Sequence, residues 1–142
     1  MIKNTVCFDD VLLLPQRSNI NSREEINLST SIGSKKFRFP VISSPMDTVT
    51  EEDMSLAMFK HGGLGIVHRY NTPVEQCNMI RNIASLFEET ENFNIANIAA
   101  AIGISSDFHS RAKALYDCGA RILCIDVAHG HHTLVEKSIK KL

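Results

Sequence analysis

A surplus of positive charge is the first thing this sequence does not have. Lys and Arg number 15 against 16 Asp and Glu, a net charge of −1 over 142 residues. That balance offers nothing to hold a phosphate backbone and argues against nucleic acid as a partner. No apolar run approaches the roughly 20 residues that cross a bilayer, so no membrane role is expected. The first ten residues, Met1 to Asp10, lack the long apolar core of a secretory signal. The cysteines, at 7, 77, 118 and 124, show neither CxxC pairing nor the tight spacing of a metal site. They read as reduced thiols of a cytoplasmic protein, mostly buried as small hydrophobes.

What is present is a globular composition, 44% hydrophobic and 22% charged, enough for one domain or part of one. Residues 1–40 form an irregular lead-in with room for one hairpin, since 15–36 are rich in Ser, Asn, Arg and Lys and have few apolar anchors. From 41 to 142 the pattern is regular. Short apolar runs at Val41–Ser44, Leu64–Val67, Ile98–Ile102 and Ile122–Ile125 read as buried strands. A helix signal follows each. Thr50 to Asp53 resembles a capping box, and that helix would turn Met54, Ala57 and Met58 inward before stopping at Gly62-Gly63. Thr72-Pro73-Val74-Glu75 is a stronger start, with Val74, Cys77, Ile80 and Ala84 at helical spacing. Ser105 or Ser106 would cap a third helix using Phe108, Ala112 and Leu115, ending at Gly119. A fourth, from about His132, places Leu134, Val135, Ser138, Ile139 and Leu142 on one side. The fold class is therefore α/β, built of right-handed parallel (β/α) units. Periodicity leaves two closures open, a doubly wound sheet or part of a (β/α)8 barrel.

Polar residues gather where strands end. Ser43-Ser44-Pro45-Met46-Asp47-Thr48 could be a ligand-facing loop or a turn feeding a helix cap. Gly62-Gly63-Leu64-Gly65 precedes its strand, so it is a helix stop with close packing and not a phosphate loop. His68 and Arg69 sit where an anionic ligand could use them, and Gly103 to Asp107 could accept an anion at a helix start. Asp126 ends an apolar strand, where a carboxylate needs a partner. His129 and His131, with His68 and Asp126, could also begin a zinc site of a metal-dependent hydrolase. No cysteine stands in a setting that activates a thiol.

Four motifs in order carry a resemblance. Phe8-Asp9-Asp10-Val11-Leu12-Leu13 with Pro15, Pro40 through Thr50, and Gly62 through Arg69 with Thr72-Pro73-x-Glu75-Gln76 resemble the N-terminal region of IMP dehydrogenases. Asp126-Val127-Ala128-His129-Gly130-His131 resembles the fourth-strand loop that this enzyme shares with GMP reductase. The resemblance implies a (β/α)8 barrel of which residues 41–142 supply strands and helices one to four. It places Ser44 and Met46, with Asp47 nearby, at the purine nucleotide. It places Asp126 at the ribose of a nicotinamide cofactor, Ser105 beside the adenosine half, and Arg69 and His129 close to it. The cofactor would be NAD for a dehydrogenase, oxidising IMP to XMP, or NADPH for a reductase converting GMP to IMP and ammonia. The family's catalytic cysteine lies in a loop after strand six and has no counterpart here, nor has its regulatory CBS module. A site for a monovalent cation would likewise fall outside these residues, and no resident metal is expected within them. The expectation is a half-barrel, inactive alone, that pairs with a C-terminal half or with itself, in a family of tetramers. The dehydrogenase is the favoured reaction. Against it stand the reductase, the metal-dependent hydrolase, and a non-catalytic nucleotide-binding βα module.

Overall fold

Two short antiparallel strands, β1 (Thr30–Ile32) and β2 (Lys35–Phe37), form the hairpin of the lead-in. Gly33 turns it at φ +57°, a conformation that glycine adopts without a Cβ penalty. The computed structural model describes residues 5–88, 97–105 and 107–142. The apolar pattern did not disclose where the hairpin goes. Phe37 is buried and packs on Leu64, Ile66, Ala99 and Ala101, plugging one face of the main sheet.

That sheet comprises β3 (Ile42–Ser43), β4 (Leu64–Val67), β5 (Ala99–Ile102) and β6 (Ile122–Ile125), all parallel and in chain order. The four predicted strands are all present, with ends within one residue. Their two-residue period divides the core. Leu64, Ile66, Ala99 and Ala101, flanked by Ile122 and Cys124, face Phe37. Val67, Ile98, Ala100 and Ile102 face the helices, as do Leu123 and Ile125. Helices α1 (Glu52–Lys60), α2 (Pro73–Glu88) and α3 (Phe108–Asp117) supply the partners of that second cluster, among them Phe59, Ile80, Ile83 and Leu115. A doubly wound sheet would carry helices on both faces. Strands in chain order with these three helices on one face are consistent with a partial (β/α)8 unit.

Helix α2 begins as its sequence dictates: the Thr72 hydroxyl accepts from the Glu75 amide at 3.2 Å, and the Glu75 carboxylate accepts from the Thr72 amide at 2.8 Å. The bond from the Thr72 amide, and next the one that the Thr72 hydroxyl donates to the same carboxylate oxygen at 2.8 Å, hold the Glu75 carboxyl below its ordinary value. Its inner face is Gln76, Cys77, Ile80 and Ile83, whereas Val74 is exposed, one residue out of phase with the expected stripe.

The start of α1 corrects the sequence reading. Thr50 is fully buried and does not cap the helix. Its hydroxyl donates to the Ser44 carbonyl at 2.6 Å and lies 2.9 Å from the Ser43 hydroxyl, closing the loop after β3. Glu51 is the residue at the cap position, without a side-chain bond to the helix. The inward face is Ser55, with Leu56 and Phe59 half-buried, while Met54 and Ala57 point out. Glycine explains the rotation. A Cβ on Gly65 would lie 2.5 Å from the Ser55 Cα, so α1 rests directly on the β4 backbone. Gly65→Ala is expected to cost at least the ~1–3 kcal/mol of a forced overpacking, read as a lower urea midpoint. An unchanged midpoint would mean that the helix is free to shift.

Ser105 does not cap α3 either. Asp107 occupies that position, and the Ser105 hydroxyl donates to its carboxylate at 2.8 Å; the alternative, Ser106, lies outside the described residues. Ala112 and Leu115 are buried as expected. In α4 (Thr133–Ile139), His132 caps the first turn, its Nδ1 accepting from the Leu134 amide at 3.0 Å. Val135 and Ser138 are buried, but Leu134, Ile139 and Leu142 are about half exposed, so their side of the helix has no cover among the described residues.

Candidate functional site

The loops that leave the C-terminal ends of the four parallel strands carry the candidate residues, as the βα arrangement requires. After β3, Ser44, Met46 and Asp47 are all exposed. The loop is tightly wound: the Met46 carbonyl accepts from both the Val49 and Thr50 amides, at 3.1 and 3.2 Å. Thr48 adopts φ +60°, a strained conformation for a β-branched residue, which only the surrounding bonds can hold.

At the exit of β4, Arg69 turns toward β6. Its Nε donates to Asp126 Oδ2 at 3.0 Å, with both side chains about a third exposed. This is the partner that a carboxylate at the end of an apolar strand needs. The guanidinium also stands 5.3 Å from the centre of the Tyr70 ring. Gly103 lies beside it, close enough that a Cβ there would meet Arg69 Nη1 at an ordinary contact distance of 3.4 Å. Arg69 and Asp126 are thus brought together. The Ser105 hydroxyl is engaged by Asp107, and that bond holds the Asp107 carboxyl below its usual range.

Beneath these loops lies a polar network that sequence reasoning missed. Gln76, fully buried on α2, donates its amide to the carbonyls of His68 at 3.0 Å and Ala101 at 2.9 Å. Its Oε1 accepts from Arg111 Nε at 2.8 Å. Arg111 Nη2 donates to the carbonyls of Arg69 and Asn71 and to Asn71 Oδ1, at 3.2, 3.0 and 2.8 Å. Two side chains therefore tie the ends of β4 and β5 to α2 and α3. Burial pushes the Arg111 guanidinium down from its ordinary value. The available signal was a Gln on the inner stripe of α2, one residue before Cys77, where an apolar residue is the norm.

The histidine-based metal set does not assemble. His129 stacks edge-on against His131 and His132, with ring centres 6.5 and 6.4 Å apart. Among the described residues, the three side chains close enough to share an ion are Asp47, Glu51 and His68. That cluster is poorly suited to a metal. His68 Nδ1 accepts the Tyr70 amide at 3.1 Å, so the ring proton sits on Nε2, the atom that faces Glu51. A metal there would have to displace that proton while Nδ1 remained an acceptor.

The cysteines stand in different settings. Burial, with the Cys118 thiol next in effect, pushes the Cys77 thiol up to about 11. Burial, then the charge of Asp126, raises Cys124 as well. Cys7 is exposed. A thiol reagent at neutral pH should therefore label Cys7 at once and Cys77 only on unfolding. Rapid native labelling of Cys77 would contradict the packing of α2.

A family model described as the IMP dehydrogenase / GMP reductase domain matches residues 5–142. The chain belongs to this family. Among its relatives, the inosine-5'-monophosphate dehydrogenase of Korarchaeum cryptofilum is 44% identical over 91 residues, covering 64% of this chain and 18% of that protein. The GMP reductase of Leishmania donovani is 43% identical over 77 residues, covering 54% of this chain and 16% of that protein. The inosine-5'-monophosphate dehydrogenase of Borreliella burgdorferi is 28% identical across 99% of this chain and 45% of its own length. The chain thus spans less than half the length of each of these relatives. Its family is one of oxidoreductases, and no helix among its described residues is long and apolar enough to cross a membrane.

Proposed function

We propose that these residues form the first half of the (β/α)8 barrel of a purine nucleotide oxidoreductase, with IMP oxidation favoured over GMP reduction. The observation that carries the reading is the Arg69–Asp126 pair at the C-terminal ends of β4 and β6, on a sheet wound in one direction with helices on one face. Asp126 offers Oδ1, which no described protein group takes, to a ribose hydroxyl of NAD, or of NADP in the reductase, while Arg69 holds Oδ2. The cofactor, when bound, supplies hydride transfer; Asp126 orients its ribose, Ser105 stands beside the adenosine half, and His129 lies near the cofactor site. Ser44, Met46 and Asp47 border the nucleotide. The catalytic cysteine is contributed from outside these 142 residues.

Geometry supports a covering half. Ile42 is about half exposed, and Ile122 and Cys124 are half-buried on the sheet face that Phe37 plugs. Four strands do not complete the shear of an eight-stranded barrel. Strands five to eight would pair the edges of β3 and β6 and finish the nucleotide site, which a second copy of this chain would not do. The test is co-expression with a C-terminal half of the family, followed by sedimentation and by assay of NADH formation from IMP. A complex with that activity is expected, and none from the 142 residues alone. Turnover by the chain alone would overturn the proposal, as would a stable monomer with no affinity for such a half. Activity only with GMP and NADPH would establish the reductase.

A further inference from the structure

We infer that His68 is a positioning residue for the loop after β3, holding Ser44 to Asp47 in place through its ring and its backbone. His68 directly follows β4, closes the run of buried residues there and is 2% exposed, although Tyr70, two residues on, is exposed. Every polar atom that it uses has an assigned partner. The amide donates to the Thr50 carbonyl at 3.2 Å, and the carbonyl accepts from Gln76. Nδ1 accepts from the Tyr70 amide, which leaves Nε2 as the donor toward Glu51 Oε1 at 3.2 Å, with Asp47 Oδ1 at 3.8 Å. Asp47 and Glu51 flank Thr48, the residue with φ +60°. The contacts of His68 therefore reach the loop on both sides of its strained residue. Thr50 passes the restraint on, since its hydroxyl grips the Ser44 carbonyl.

This differs from ligand contact, the role that a histidine at a strand exit suggests. The ring's two nitrogens are spent on Tyr70 and Glu51, and its burial keeps it beneath the loop. The geometric part stands by itself; the identity of the ligand that the loop serves rests on the function proposed above.

Two isosteres separate the ring's bonds. Asn at 68 can keep the acceptor for the Tyr70 amide but cannot reach Glu51. Gln can reach Glu51. A third variant, Glu51→Ala, removes the exposed partner without disturbing the buried site. Hydrogen exchange on the full chain, residue by residue, reads the result. Exchange at Val49 and Thr50, whose amides bond to the Met46 carbonyl, should rise about 10-fold in His68→Asn and Glu51→Ala and stay within about 3-fold of the parent in His68→Gln. The β5 amides of Ala101 and Ile102 should not change. Equal exchange in the Asn and Gln variants would overturn the inference. So would parent-like protection in Glu51→Ala, or β5 exchange rising in parallel, which would make His68 a core residue only. In the assembled enzyme, His68→Asn should raise the KM for the nucleotide and leave that for the dinucleotide. The expected exchange pattern with neither KM altered would retain His68 as the loop's support and count against the nucleotide reading alone.

Discussion

Gln76→Leu should lower stability by about 3–5 kcal/mol, although leucine fills nearly the same volume and suits the apolar stripe of α2. The loss comes from what the amide leaves behind. The carbonyls of His68 and Ala101 would each lose a donor, and Arg111, already partly desolvated, would lose the acceptor for its Nε. Two buried carbonyls left without a donor, beside a half-buried cation that has lost one of its acceptors, are among the short list of changes with so large an effect. Urea unfolding of the variant measures it, with Arg111→Met as companion. Because both residues belong to one network, the double variant should lose clearly less than the two single losses combined. A loss under about 1 kcal/mol for Gln76→Leu would mean that water enters and satisfies the carbonyls, and that the network is dispensable.

Asp126→Ala, made in the enzyme assembled with its C-terminal half, should reduce kcat/KM for the dinucleotide by roughly 10- to 150-fold, the equivalent of about 1.5–3 kcal/mol for lost bonds to a charged group. The chain should still fold, since the carboxylate lies at a partly exposed strand end. Arg69 adds a check. If it acts by holding Asp126, then Arg69→Met should reproduce part of the defect, and the double variant should be hardly worse than Asp126→Ala. Cofactor kinetics unaltered by Asp126→Ala would leave the pair a structural tie between β4 and β6.

Several features are legible in the sequence because they depend on local chemistry. The strands at 64–67 and 122–125 are short apolar runs between turn signals, and they begin and end where the pattern places them. The Thr72–Glu75 capping box forms because its two bonds involve residues three apart on one turn. Asp126 announced a partner because a carboxylate beside an apolar strand demands one, though nothing in the sequence named Arg69, which is 57 residues away.

Other features depended on how the units pack. Helical period marks a stripe but not its phase to within one residue, so Met54 and Val74 were expected inside, while Gly65 and Gln76 decided the real faces. Thr50 looks like a cap in sequence; in the fold, its hydroxyl is drawn instead to the Ser44 carbonyl because β3 and the start of α1 lie side by side. Histidines close in sequence, 129 and 131, did not gather a metal set, whereas His68 met Asp47 and Glu51 across the loop after β3. Periodicity and bonds between near neighbours dictate the order of strands and helices, the start of α2 and the positions of polar residues at strand ends. That α1 to α3 share one face, that Phe37 plugs the other, and that Gln76 and Arg111 lock β4 to β5 emerges as the units pack together. Those outcomes rest on contacts between residues tens of positions apart, whose pairing no local pattern encodes.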